Sequence, residues 1–182
     1  MTPIYAVVSL LDEKHYRLVE QIWDDLKLRC GVQGIYATPF PHFSYHVAPG
    51  YDMKRLEAVL RRMARSVEPF RVRTTGLGIF TGPSPVVHIP VVRDPALTRL
   101  QQKLWPRLDR VAAHSLAYYH PDQWVPHITL GHGDLGPSNL AGVIEHLGAR
   151  TYTWEISIDN LAVISSTGTP DGMHLRVPLG RA

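Results

Sequence analysis

One short motif is written twice in this chain, and that repetition limits the fold more than any other feature. Pro41-His42-Phe43-Ser44 recurs as Pro126-His127-Ile128-Thr129, 85 residues later. At an offset of 84, "FRVRTTGLGIF" (70–80) falls on "WEISIDNLAVI" (154–164), so Phe70 meets Trp154, Val72 meets Ile156, Leu77 meets Leu161 and Ile79 meets Val163. At an offset of 83, "YAVV" from Tyr5 overlies "HIPV" from His88. Agreement in order along the whole chain points to two copies of one unit, about 1–83 and 84–182.

Side-chain periodicity gives each copy its content. "IYAVVSLL" (4–11) is a β-branched apolar strand. Asp12 to Arg29 carries Leu18, Ile22 and Leu26 at helical spacing, with Val19 and Trp23 beside them. His42 to Val47 is a strand. Asp52 to Val67 is a helix with Leu56, Val59, Leu60 and Met63 on one stripe. "FRVRTTGLGIF" is a strand followed by a glycine-proline turn. The second copy repeats the order. "VVHIPVV" (86–92) is a strand whose Pro90 suggests an edge or bulge position, and a helix runs from Asp94 to about Leu116 past Pro106. "WVPHITLGH" is a strand, Asn139 to Leu147 a helix, "TYTWEISIDNLAVISS" a long strand, and "MHLRVPL" a last one. The expected fold is α+β, a duplicated β-α-β-α-β unit related by a pseudo-two-fold axis.

Bulk properties exclude several classes. With 182 residues, 45% hydrophobic and 19% charged, one folded domain spanning 1–182 is expected rather than a disordered chain. A net charge of +3 permits a phosphate-bearing or nucleic-acid ligand without requiring one. The basic cluster from Lys54 to Arg65 has helical spacing and reads as a solvated face. A single cysteine, Cys30, gives no disulfide framework and no cysteine-rich metal site. The N-terminal stretch has no basic leader and turns charged by Asp12, so no signal or transit peptide is expected. No apolar run approaches the ~18 residues of a membrane span. A cytoplasmic protein with no membrane association and no obligatory protein partner is the expectation.

The chemistry lies in the repeated motif. A strand alternates its side chains between two faces. In "HFSYH" (42–46) His42, Ser44 and His46 share one face against Phe43 and Tyr45. In "HITLG" (127–131) His127 and Thr129 share one face against Ile128 and Leu130. Two copies of a polar His-x-Ser/Thr face, each backed by an apolar face, can meet across a groove. Opening a phosphodiester needs a base for the nucleophile and an acid for the leaving oxygen, and two imidazoles can take these opposed roles near neutral pH. The hydroxyl two residues along can hold the charge on phosphate. Metal binding by His42, His46, His127 and His132 is the competing reading. The motifs hold no carboxylate and no His-Glu-x-x-His pattern, so neither metal nor cofactor is expected.

With "HFSY" (42–45), "HITL" (127–130) and "FRVRTTGLGIF" quoted, the chain resembles the 2H phosphoesterase superfamily, in its 2′-5′ RNA ligase and cyclic phosphodiesterase group. The resemblance implies a bilobal fold with two antiparallel sheets flanking a central groove and helices outside. It implies metal-independent chemistry on RNA ends or cyclic nucleotides: opening of 2′,3′-cyclic phosphates, or joining and cutting of 2′-5′ linkages. By the same resemblance His42 and His127 are the catalytic pair, with His127 the base and His42 the acid in hydrolysis, while Ser44 and Thr129 hold phosphate. An RNA-end-binding protein with vestigial catalysis is the alternative of a different class. The chain departs from the family in having Ser44 where threonine is usual, His88 where an aromatic is common, and Ile164 where an arginine often precedes the serine of the last long strand. Strand phase adds further candidates. Tyr5 and His88 are paired as base-stacking groups, Arg71 and Arg73 as phosphate contacts, and His46 as an extension of the His42 and Ser44 face. By the same phase His132 points away from Thr129. His15, His114, His120, His146 and His174 lie outside the motif strands.

Overall fold

Three of the four helices begin at an aspartate that caps them. Asp12 accepts from the His15 N–H at 3.0 Å, Asp52 from Arg55 at 3.1 Å and Asp94 from Leu97 at 2.8 Å. The helices are α1 (Glu13–Cys30), α2 (Met53–Ala64), α3 (Pro95–Asp109) and α4 (Leu140–Gly148). α1 buries His15, Val19, Ile22, Trp23 and Leu26, so its stripe is centred on Trp23 and leaves Leu18 half-buried. α3 stops at Asp109, one turn beyond Pro106, rather than reaching Leu116. Pro106 lies inside the helix, where its missing N–H leaves the Gln102 carbonyl without its ladder bond. The computed structural model describes residues 4–180; the outermost positions of the 1–182 span lie outside the described residues.

Among the described residues nine strands accompany these helices: β1 (Tyr5–Leu10), β2 (His42–Ala48), β3 (Phe70–Arg73), β4 (Gly78–Phe80), β5 (Val86–Pro90), β6 (His127–Gly131), β7 (Glu155–Ile158), β8 (Asn160–Ser165) and β9 (Met173–Pro178). They form a sheet ordered β2-β1-β8-β9, a sheet ordered β4-β5-β6 and a β3-β7 ribbon, all antiparallel. The two long strands expected at 70–80 and 151–166 are each divided, the first after Arg73 and the second at Asp159. The front part of each joins the ribbon and the rear part joins a main sheet, so the chain must turn between them. Pro90 closes β5, a central strand. It lies beyond the reach of β4, which pairs only with Val86 to His88, so no ladder bond is lost.

The sheets do not correspond to the sequence halves. The four-stranded sheet takes β1 and β2 from the first repeat and β8 and β9 from the second; the three-stranded sheet takes β4 from the first. The helices cross over as well. α3 packs on β2 beside α2, whereas α1 packs on β6 beside α4. The repeats are therefore interlocked, and one continuous core runs through both lobes.

β2 and β6 are edge strands, and they approach each other without sharing a ladder. Their exposed carbonyls find partners in indoles. The Trp124 Nε1–H, at the entry to β6, donates to the Ser44 carbonyl at 2.8 Å, and the Trp23 Nε1–H, on α1, donates to the Thr129 carbonyl at 3.1 Å. Both tryptophans are almost fully buried. Replacing either by phenylalanine keeps most of the packing but leaves a buried carbonyl unpaired. Each substitution should cost about 1–3 kcal/mol in urea unfolding. A loss below a few tenths would show that water replaces the indole.

Candidate active site

The motif strands each carry a β-bulge at the same place. In β2 Val7 pairs with His46 and Val8 with Ser44, leaving Tyr45 unpaired. In β6 Val87 pairs with Gly131 and His88 with Thr129, leaving Leu130 unpaired. A bulge adds one residue and shifts the alternation of the strand by one. Up to the bulge the expected faces hold: His42 and Ser44 share one face, and His127 and Thr129 share the other lobe's equivalent. After it they reverse.

His46 is the first consequence. Its expected place on the His42 face is overturned, because the bulge turns it to the helix side of the sheet. There it is fully buried, with its ring 4.7 Å from that of Trp105 on α3. Both of its nitrogens are taken. Asp109 accepts from the Ser115 hydroxyl at 2.5 Å, so Ser115 Oγ is left to accept from His46 Nε2–H at 3.0 Å. Nδ1 then accepts from the Tyr51 hydroxyl at 2.6 Å. Burial pushes the imidazole down to about 4, with Asp109 pulling the other way, so it is a neutral member of a closed chain. His132 is the second consequence. It sits close enough to His42 for the two to repel as charges. Period-two counting placed it on the far side.

The two motif histidines are held alike. His127 Nδ1–H donates to the Val125 carbonyl at 2.7 Å, and His42 Nδ1–H donates to the Phe40 carbonyl, each two residues upstream. A carbonyl can only accept, so both tautomers are fixed and Nε2 is the free nitrogen of each ring. Burial pushes His42 down to about 4, helped by repulsion from His127 and His132 and opposed by the Phe40 carbonyl. Burial also lowers His127, against the Val125 carbonyl. Both are therefore neutral at pH 7.

The ladders also correct the pairing of Tyr5 with His88. Ser44 corresponds to Thr129, and their partners are Val8 and His88. The neighbouring strands agree, since Val8 also pairs with Ala162 and His88 with Gly78. The true offset between β1 and β5 is 80, and His88 stands opposite Val8. Tyr5 has the parity of Val7, on the helix side, with its ring 5.3 Å from that of His174. His88 does lie beside the pair: its ring centre is 5.0 Å from that of His127 and stacks on Phe80 at 4.1 Å. Phe80 also meets His127 edge-on at 4.9 Å. Gly78 leaves the room, since a Cβ there would come within 2.5 Å of His88 Nε2. Burial lowers His88 to about 4, with repulsion from His127 adding to it.

Arg73 is not brought to the histidines. It lines a shallow cavity with Thr74, Thr75, Val92, Thr153 and Trp154, and Arg71 pairs with Glu155 across the β3-β7 ribbon. Motif reading missed Phe80, whose ring meets those of His88 and His127. It lies in neither motif. Only the glycine-marked strand "GLGIF" draws the eye to Phe80.

The arrangement matches a known family. A model of the 2′-5′ RNA ligase superfamily matches residues 13–170, a span that includes both His-x-Ser/Thr motifs. The chain belongs to this superfamily. Its members are 2H phosphoesterases and ligase-like enzymes, as the motif pair led one to expect. Solved structures share the fold. TT0787 of Thermus thermophilus has a TM-score of 0.66 at 17% identity, covering 98% of each chain. E. coli LigT, complexed with ATP, has a TM-score of 0.56 at 15% identity, also over 98% of each. A further structure, described as a phosphoesterase, has a TM-score of 0.59 at 14% identity over 100% of both chains. No curated protein sequence matches. Among the described residues no helix is long and apolar enough to cross a membrane.

Superfamily membership and the lowered histidines give a pH expectation. His42, His46 and His88 fall to about 4 in the folded protein from 6.5. Between those values the unfolded chain binds more protons, so stability is full above pH 6.5 and is lost as pH falls towards 4. Each histidine contributes at most roughly 1.4 kcal/mol per pH unit. Urea midpoints should drop steadily between about pH 7.5 and about pH 4.5; equal midpoints would mean that these rings titrate normally.

Proposed function

We propose that the protein is a metal-independent phosphodiesterase that opens 2′,3′-cyclic phosphates at RNA ends or on nucleotides. The observation that carries this reading is the matched anchoring of His42 and His127. Each gives its Nδ1 proton to a carbonyl and keeps Nε2 for chemistry. His127 Nε2 takes a proton from water as the oxygen attacks phosphorus. His42 Nε2–H delivers a proton to the departing ribose oxygen, so the net proton count is unchanged. Ser44 and Thr129 donate to the non-bridging oxygens.

Burial holds both rings neutral, whereas the reaction needs one of them charged. An anionic phosphate supplies the missing term. Its charge offsets both desolvation and His–His repulsion, so the pair takes up one proton as substrate binds. With a 5′-hydroxyl in place of water as the nucleophile, the same ring opening would join a 2′,3′-cyclic end to that hydroxyl through a 2′-5′ linkage, the ribose 3′-oxygen leaving with the proton from His42.

The test uses 2′,3′-cyclic AMP and a 2′-5′-linked oligonucleotide in the presence of chelator. His42→Ala and His127→Ala should each lower kcat about 10²–10⁴-fold. Activity surviving both substitutions would remove the two-histidine mechanism, and activity lost to chelator would favour a metal held by these histidines. Binding without turnover of either substrate would favour an RNA-end-binding role.

A further inference from the structure

The face that carries His127 continues sideways beyond β5. Pro90 pairs with His127. Past the end of β4, the chain leaving β3 lies along β5 in its place. There the Thr75 N–H donates to the Pro90 carbonyl at 3.1 Å, and the Val92 N–H donates to the Arg73 carbonyl at 2.7 Å. Thr74 bridges Val91 between them. On its other side the Thr74 N–H donates to the Trp154 carbonyl at 3.0 Å, which extends the β3-β7 register and sets Thr153 opposite Thr75. Residues directly opposed across strands share a face. His127, Pro90, Thr75 and Thr153 therefore form one row, with Val92, Arg73 and Glu155 in a second row beside it. Burial agrees: Ile128, Ile89, Val91 and Thr74 turn into the core, whereas Arg73, Thr75 and Thr153 are exposed.

A cavity of about 490 Å³ lies over the far end of these rows, with Arg73, Thr75, Val92, Thr153 and Glu155 in its lining. Glu155 stands across the ribbon from Arg73, yet its carboxylate is taken by Arg71. Among the described residues no other carboxylate pairs with the Arg73 guanidinium. Two arginines thus share one carboxylate, and a positive charge is left over beside two threonine hydroxyls. A guanidinium fork flanked by hydroxyl donors suits a phosphate. Each strand step is ~4.8 Å, so Thr75 stands ~10 Å from His127. A mononucleotide with its cyclic phosphate at His127 has no second phosphate to send there. A longer strand does.

We propose that this cavity is a second phosphate subsite, in which Arg73, flanked by Thr75 and Thr153, takes an internal phosphate of a strand whose cyclic end lies at His127. The subsite makes an oligonucleotide end, rather than a free nucleotide, the preferred substrate. A contact to a backbone phosphate positions the strand and reads no base, so the subsite selects for length and not for sequence. The inference rests on the phosphodiesterase reading for what happens at the reacting end, though not for the binding of the strand.

The test compares kcat/KM on 2′,3′-cyclic AMP with kcat/KM on an adenosine trinucleotide ending in a 2′,3′-cyclic phosphate. It is run on the unmodified protein, Arg73→Gln and Arg73→Lys. Arg73→Gln should lower kcat/KM on the trinucleotide roughly 10-fold and change that on 2′,3′-cyclic AMP less than about twofold. The slope of log KM for the trinucleotide against log salt should fall by about 0.7, the share of one phosphate contact on a single strand. Arg73→Lys keeps the charge and should recover much of the loss. Equal losses on the two substrates, or no loss on either, would overturn the subsite while leaving the phosphodiesterase reading intact. Anisotropy of a fluorescein-labelled trinucleotide ending in a 2′-phosphate reads binding apart from turnover. Binding that weakens in Arg73→Gln, with no turnover of either substrate, would uphold the subsite and sink that reading. Binding indifferent to Arg73 without turnover, or neither binding nor turnover by the unmodified protein, would remove both.

Discussion

Two edge strands, β2 and β6, carry the two histidine motifs and approach each other without pairing. An open strand edge is a row of unsatisfied backbone groups that readily takes another strand. Had β2 and β6 laddered to each other, the sheets would have fused and their polar faces would no longer look across a gap. The indoles of Trp124 and Trp23 prevent this by taking the Ser44 and Thr129 carbonyls. Each bond joins a residue from one repeat to a strand of the other. Both carbonyls are thereby spent on indoles and not on a ladder between the histidine-bearing strands. The crossing helices reinforce this, since α1 and α3 each cover the lobe built around the other repeat's motif strand.

The paired bulges at Tyr45 and Leu130 decide what enters that groove. Without them His46 would stand beyond Ser44 in the same row. With them, His46 turns back into the core, where Trp105, Tyr51 and Ser115 enclose it. Its equivalent, Gly131, turns back too, against Leu135 and Val32, where a side chain would be cramped. The bulge thus takes His46 out of the first motif's polar row and leaves His42 and Ser44 there. In the first lobe the histidine it withdraws becomes the link between β2 and the helix above it.

Much of this could be read from residue order. The motif pair, the helices, their aspartate caps and the phase of His42, Ser44, His127 and Thr129 need only local rules, and local rules hold up to the bulges. Past them they fail, which is why His46 and His132 exchange the faces that counting assigns. The pairing of Tyr5 with His88 failed for another reason. "YAVVSL" offers Val and Leu at most positions, so apolar character cannot fix the register of β1; only hydrogen-bonded partners on both sides can. Arg73 was misjudged because its strand breaks at Thr74 to pass from ribbon to sheet, and a single alternating run gives no sign of that break.

The backbone is close to two-fold, yet the reaction proposed for it is not symmetric, since water attacks on one side and a ribose oxygen leaves on the other. The side chains supply the difference. Behind His42 and Ser44 the face of the sheet is apolar: Val8, Leu10, Ala162 and Ile164 close up under Phe40. Beside His127 and Thr129 it carries His88 stacked on Phe80, the latter a third exposed. In the proposed reaction the apolar floor suits His42 to the acid, since it keeps water from the proton until a leaving oxygen accepts it. The aromatic wall, with Phe80 part-exposed, suits His127 to the base, whose nucleophile comes from solvent. The duplicated fold anchors two imidazoles alike, and the residues that differ between the copies suit them to opposite tasks in that reaction.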